Sequence, residues 1–185
     1  FDLASVAVVA DGRGARQVFG EGDEQIGGCG APEAFDLLAR GGAGASAARL
    51  DFRTPARIRY GGRYADSLPF HVLIRNLLRR ASALLYFHCG GDPRALDFRG
   101  LIARAAAVEI ADSRLRWHDW GRYSSRQDAR MQLGGVLGGI AYRGDLRPFL
   151  ALLRLGAALH IGKNTTFGLG RYTLALDESN AEADK

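Results

Sequence analysis

The chain has 185 residues, an apolar share of 47% and a formal net charge of +5, which bounds it to one large domain, or one domain with part of another, around an ordinary core. No apolar run approaches the roughly 20 residues of a membrane span, and the opening FDLASVAVVADG lacks the basic start of a secretory signal. Two cysteines, Cys29 and Cys89, are too few for a disulfide framework and fit a reducing, cytoplasmic setting.

Phe1–Ala10 alternates apolar residues and meets D11-G-R-G14, the signal of a hairpin returning along Ala15–Phe19. The chain thus opens inside a strand-like run, which reads as the downstream part of a longer sequence. Residues 20–31 form a glycine-rich loop, and Pro32–Arg40 reads as a short helix with Pro in its first turn. G41-G-A-G-A-S46 is a flexible linker by composition, placing a domain boundary near residue 46. Arg49–Tyr60 reads as a long strand bent at Thr54-Pro55, because proline cannot donate to a ladder. Pro69–His88 is a helix capped by Asp66 or Ser67, with Phe70, Leu73, Ile74, Leu77, Ala81, Leu84 and Leu85 on one face. A second helix over Phe98–Ala107 precedes strands at Val108–Trp117 and Met131–Tyr142. Asp145–Leu155 is helical, and strands Ala157–Ile161 and Arg171–Leu176 flank a last glycine loop. The order β-α-(α)-β-β-α-β predicts an α+β, ferredoxin-like domain over 47–176, followed by an acidic tail at 177–185.

Charge is segregated along that order. Residues 1–50 carry 4 Arg against 7 acids, residues 51–176 carry 20 basic against 9 acidic groups, and the tail carries 1 Lys against 4 acids. A positive body between acidic ends suits a polyanion. Of the 25 basic residues 23 are arginine, whose planar fork grips phosphate in two places and stacks on bases; a GC-rich genome would give the same Arg excess without a functional cause.

Three groups could carry chemistry. The loop G162-K-N-T-T-F-G-L-G-R171 fits neither a Walker loop nor a dinucleotide fingerprint, because its spacing fails both. Its glycine amides together with Lys163, Asn164, Thr165, Thr166 and Arg171 could cradle a phosphate around Gly162, Gly168 and Gly170, or the glycines could serve only a tight turn. R116-W-H-D-W-G-R-Y-S-S-R126 interleaves aromatics with cations, including Arg122, Tyr123 and Arg126. That composition suits unpaired bases and their phosphates, or a loop with buried tryptophans and solvated charges. His71, Arg75 and Arg79 share a helix face that reads as a phosphate track or as a plain solvated surface. The four histidines show no metal spacing and no DxD pair occurs, so neither metal nor cofactor is implied. The inventory leaves metal-free RNA cleavage open, in which a 2′-OH attacks its own phosphate.

F70-H-V-L-I-R-N-L-L-R-R80, W117-x-D-W with R122-Y-S-S-R-Q127, and G162-K-N-T-T-F-G-L-G-R-Y172 together resemble the CRISPR repeat-processing endoribonucleases of the RAMP superfamily, the sixth CRISPR-associated protein family. The resemblance implies two tandem ferredoxin-like domains, with 47–176 the C-terminal one and 1–46 the end of the first. It implies binding of CRISPR precursor and repeat RNA, cleavage to a 2′,3′-cyclic phosphate and a 5′-OH, and contact with other CRISPR effector subunits; it also allows a homodimer and involves no membrane. The loop from Gly162 to Arg171 carries over as an RNA contact. The catalytic histidine of the family lies in the N-terminal domain, and His71 occupies the corresponding place in the second. The rival from another class is a non-catalytic RAMP subunit that holds guide RNA.

Overall fold

A computed structural model describes residues 6–10, 13–19, 45–92, 94, 96–124 and 129–178. The chain divides into two compact units, 1–36 and 37–185. In the first, β1 (Val6–Ala10) and β2 (Arg13–Phe19) pair antiparallel, as the alternation and turn signal require. The predicted helix at 32–40 and linker residues 41–44 lie outside the described residues, whereas Ala45 and Ser46, assigned to the linker, open the next strand.

That strand, β3 (Ala45–Ala56), buries Ala48, Leu50 and Phe52 and turns Arg49 and Arg53 outward, the period-two pattern of a sheet covered on one face. It stops at Ala56 rather than running to Tyr60. Opposite it, β10 (Gly135–Arg143) advances from Gly138 to Val136 while β3 advances from Phe52 to Ala56. The bend at Thr54-Pro55 is therefore a bulge, where the missing proline donor breaks no ladder bond. Two short strands follow, β4 (Arg59–Tyr60) and β5 (Arg63–Tyr64). Gly61 and Gly62 turn between them at φ 56° and 82°, a conformation that glycine adopts freely.

Helix α1 (Phe70–His88) runs as its periodicity predicts, with Phe70, Leu73, Ile74 and Leu77 buried. Its cap does not. Pro69 occupies the N-cap without a side-chain bond, at φ −54°, and its carbonyl accepts the Val72 and Leu73 amides at 2.9 and 3.2 Å; proline fixes the entry that Asp66 or Ser67 was expected to supply. Helix α2 (Phe98–Ala105) is capped by Asp97, which accepts the Gly100 amide at 2.9 Å.

The predicted strand 108–117 is two pieces, β6 (Glu109–Ser113) and β7 (Arg116–His118), both paired with β10. They separate opposite Gly138, at φ 112°, where a Cβ would lie 2.5 Å from the Arg114 carbonyl oxygen. The predicted strand 131–142 is likewise β9 (Ala129–Gln132), paired with β8 (Gly121–Ser124), and then β10. A 3-10 turn at Arg147–Phe149 leads into α3 (Leu150–Leu159). The strand expected at 157–161 is absent, because Ala157–Leu159 are the last turn of α3. Leu153 and Gly156 on that helix are buried. The fourth strand is β11 (Tyr172–Glu178).

The order across the sheet is β11-β3-β10-β6, antiparallel at every junction. With α1 and α3 in the crossovers, this is the ferredoxin-like arrangement. Two buried tyrosines fasten helices to strands: Tyr142 on β10 donates to the Leu68 carbonyl at 2.7 Å, and Tyr172 on β11 donates to the Leu153 carbonyl at 2.6 Å. Burial holds both hydroxyls well above the usual phenol range. Among the described residues, no helix is long and apolar enough to cross a membrane.

Candidate nucleic-acid interface

The glycine loop is anchored on the bulge of β3. The Lys163 amide donates to the Arg57 carbonyl at 2.9 Å, and the Gly170 amide to the Pro55 carbonyl at 3.1 Å. Thr54 fastens both arms, since its Oγ1 donates to the Gly168 carbonyl and accepts the Arg171 amide, each at 2.9 Å. Within the loop the Gly168 amide donates to the Thr165 carbonyl at 3.0 Å, closing a 3-10 turn over Thr165–Phe167. The amides of Lys163, Gly168, Gly170 and Arg171 thus meet protein acceptors, so at these four positions the tight-turn alternative holds and not the phosphate cradle. The glycines are required by shape. Gly162, Gly168 and Gly170 have φ of 89°, 76° and 75°, and a Cβ at Gly162 would lie 2.7 Å from the Arg57 carbonyl oxygen.

What the loop offers outward is side chains. Lys163, Thr166 and Arg171 are exposed, Asn164 and Thr165 are half-buried, and Asn164 holds the left-handed turn at φ 62°. At the loop's base His160 sits at φ 61° and ψ 167°, a region almost reserved for glycine. Burial, then the charges of Arg171 and Arg80, lowers its imidazole below the ordinary histidine range.

The backbone bridge between Arg57 and Lys163 sets the loop beside the β4–β5 hairpin. The Arg57 guanidinium lies 3.8 Å from the centre of the Tyr64 ring and 6.0 Å from that of Trp117, and Lys163 Nζ lies 5.8 Å from Tyr64. Arg57 Nη1 donates to the Gly134 carbonyl at 3.0 Å. Hydrogen bonding and charge from Arg57, reinforced by Lys163, hold the Tyr64 hydroxyl below its usual range. Trp117 Nε1 donates to Asp119 Oδ1 at 2.7 Å, which fixes the indole. Trp117 and Trp120 are both exposed rather than buried.

In the hairpin register Arg59 opposes Tyr64 and Tyr60 opposes Arg63, so the two tyrosines face opposite ways. Tyr60 meets α1. Its ring is edge-on to His71 at 5.7 Å, with the Arg75 guanidinium 5.9 Å away. The structure therefore brings His71 and Arg75 together, and Arg79 is exposed further along α1. Arg122 and Tyr123 lie on β8, opposite Met131 and Arg130, and Arg126 lies outside the described residues. Sequence reasoning missed Arg57, Tyr60, Tyr64 and Thr54. The string R59-Y-G-G-R-Y64 held the signal, two glycines between two dipeptides.

An antiparallel sheet in 4-1-3-2 order, with a glycine loop locked to its first strand and an aromatic and cationic rim, defines a ferredoxin-like α+β domain. Residues 50–172 match the family of the CRISPR-associated endoribonuclease Cas6, more than half of the chain, and the chain belongs to that family. It is similar in fold to Thermus thermophilus Cas6, at 20% identity and a TM-score of 0.56 over 77% of this chain and 57% of that one. A second Cas6, solved as a product complex, gives a TM-score of 0.54 at 20% identity over 87% of this chain and 62% of that one. The chain thus spans about three fifths of the length of these structures. No curated protein sequence matches it.

Proposed function

We propose that this chain is the RNA-binding part of a CRISPR repeat-processing endoribonuclease, with β3 to β11, residues 45–178, its C-terminal ferredoxin-like domain and the β1–β2 hairpin the end of the preceding one. Membership of the Cas6 family supports the substrate class. The observation that carries the placement is the joining of Arg57 and Lys163 at the root of the glycine loop, with no acidic partner for either among the described residues. Cations without internal counter-charges, beside the exposed Thr166 and half-buried Thr165, suit a phosphate backbone. Lys163, Thr165, Thr166 and Arg171 would contact phosphates from the loop, Arg75 and Arg79 from α1, and Arg122, Tyr123 and Arg126 from the β8–β9 region.

Cleavage in this reading is attack of a 2′-oxygen on the adjacent phosphorus. A base takes the 2′-proton, an acid protonates the departing 5′-oxygen, and a cation steadies the phosphorane. His71, edge-on to Tyr60 and beside Arg75, is the candidate acid or base within this chain. Neither a metal nor a cofactor enters this reaction.

The test is incubation of the full-length protein, and of this chain beside it, with end-labelled repeat RNA in EDTA; this chain should bind the RNA and the full-length protein should cut it. The reading expects a cut within the repeat that leaves a 2′,3′-cyclic phosphate, and no cut when the 2′-OH at that position is replaced by hydrogen. A stable but uncut complex with the full-length protein would instead favour a guide-RNA-holding subunit, and no complex with either would overturn both.

A further inference from the structure

Arg57 is only 9% exposed. Nearly buried guanidinium groups are ordinarily paired with a carboxylate, because an isolated charge is costly to bury. Among the described residues none pairs with it; its neighbours are the Gly134 carbonyl, Tyr64, Trp117 and, through the backbone, Lys163. The open face of the sheet is different. There Arg53 meets Asp51 at 3.2 Å, and Arg114 and Arg49 meet Asp112 at 3.3 and 3.9 Å. The uncompensated positive charge is gathered under two aromatic rings at the rim.

Those rings are open to solvent, Tyr64 at 39% and Trp117 at 36%. Their centres are 6.4 Å apart and their planes are inclined by 43°. Each is held in place: Tyr64 by the glycine turn of its hairpin and by Arg57, Trp117 by Asp119 and by pairing opposite Val136 on β10. Fixed, partly exposed rings, with the Arg57 guanidinium over one face of Tyr64, form a stacking platform whose side-chain entropy is already lost. The indole N–H is spent on Asp119, so the platform reads a base by its π-face and not by its edge.

We propose that Tyr64 and Trp117 form a subsite for one unpaired nucleobase of RNA, with Lys163 and the Arg57 charge holding the phosphate next to it. The proposal rests on the RNA-binding reading above and deepens it, because a base in a duplex stem cannot present its face here. The subsite therefore takes a single-stranded nucleotide beside or within the recognised repeat, with little preference among the four bases.

The experiment compares the full chain's affinity for a short oligouridylate and for an abasic ribose-phosphate strand of the same length and charge. The base-bearing strand should bind about tenfold more tightly, with Trp117 fluorescence quenched only by that strand. Tyr64→Ala with Trp117→Ala should erase the difference while the melting temperature confirms a folded protein. Lys163→Gln should weaken both strands alike and keep their ratio. Equal, strongly salt-dependent binding of the two strands by the unmodified protein overturns the subsite but leaves the phosphate reading standing. A ratio that survives the double substitution also overturns the subsite. Binding of neither strand removes both readings.

Discussion

Gly168 and Gly170 have almost the same φ, 76° and 75°, yet their surroundings differ. A Cβ at Gly168 meets nothing within 4 Å, so Gly168→Ala incurs only the cost of a left-handed alanine, about 1 kcal/mol. At Gly170 the same atom would run into the Ile161 carbonyl oxygen, and that oxygen belongs to backbone that cannot rotate away. Ile161 is itself fully buried and donates its amide to the Gly170 carbonyl at 3.0 Å. Gly170→Ala should therefore separate the two arms of the loop and cost at least twice as much as Gly168→Ala. Thermal melting of the two variants side by side checks this; equal losses would mean that positive φ alone sets the glycine requirement. At this scale the sequence was half legible. Three glycines around Lys163 announced unusual backbone, but whether their amides face a ligand or a neighbouring strand depends on Thr54 and Pro55, more than a hundred positions away. Arg57 was illegible for a related reason, since an arginine's burial shows only once Tyr64, Trp117 and Gly134 have closed around it.

Elements obey the same division between local signal and tertiary decision. Helix α1 could be read from spacing because its inward residues recur at helical period and its outward ones, Arg75 and Arg79, are charged. The run L153-R-L-G-A-A-L-H-I161 supports a helix end or a strand equally well, and packing against α1 and β11 resolves it as helix. The β4–β5 hairpin was missed because strands of two residues are too short to show alternation. Gly156 illustrates how packing overrides propensity. In an open helix Gly→Ala stabilises by about 1 kcal/mol, but here the added methyl would meet the Leu77 side chain and the Tyr172 hydroxyl. Leu77 can rotate; Tyr172 cannot do so without losing its bond to Leu153. Overpacking of this kind costs roughly 1–3 kcal/mol, so Gly156→Ala should lower stability by about 1 kcal/mol, read from the midpoint of chemical unfolding. A rise in the midpoint would show that α3 shifts freely over β11.

Across the described residues as a whole, the positive balance of residues 51–176 does not spread evenly in effect. Arginines on the open sheet face are matched by Asp51 and Asp112, whereas Arg57, Lys163 and Arg75 gather around the hairpin tyrosines. The sheet face also carries none of the exposed aromatic rings among the described residues, which lie on the β4–β5 hairpin, at β7 and just beyond it, in the glycine loop and at the end of α1. A polyanion therefore gains most at the rim, where no internal acid has to be displaced. Each phosphate neutralised on a single strand contributes about −0.7 to the slope of log affinity against log salt. Lys163→Gln should then make the slope shallower by about that amount, while Arg49→Gln, whose partner is already Asp112, should leave it unchanged. Filter binding of the repeat RNA over a series of salt concentrations distinguishes the two surfaces. Were the Arg49 variant to flatten the slope and the Lys163 variant not, the RNA would lie across the sheet, and the charge pairs with Asp112 would have to open to receive it.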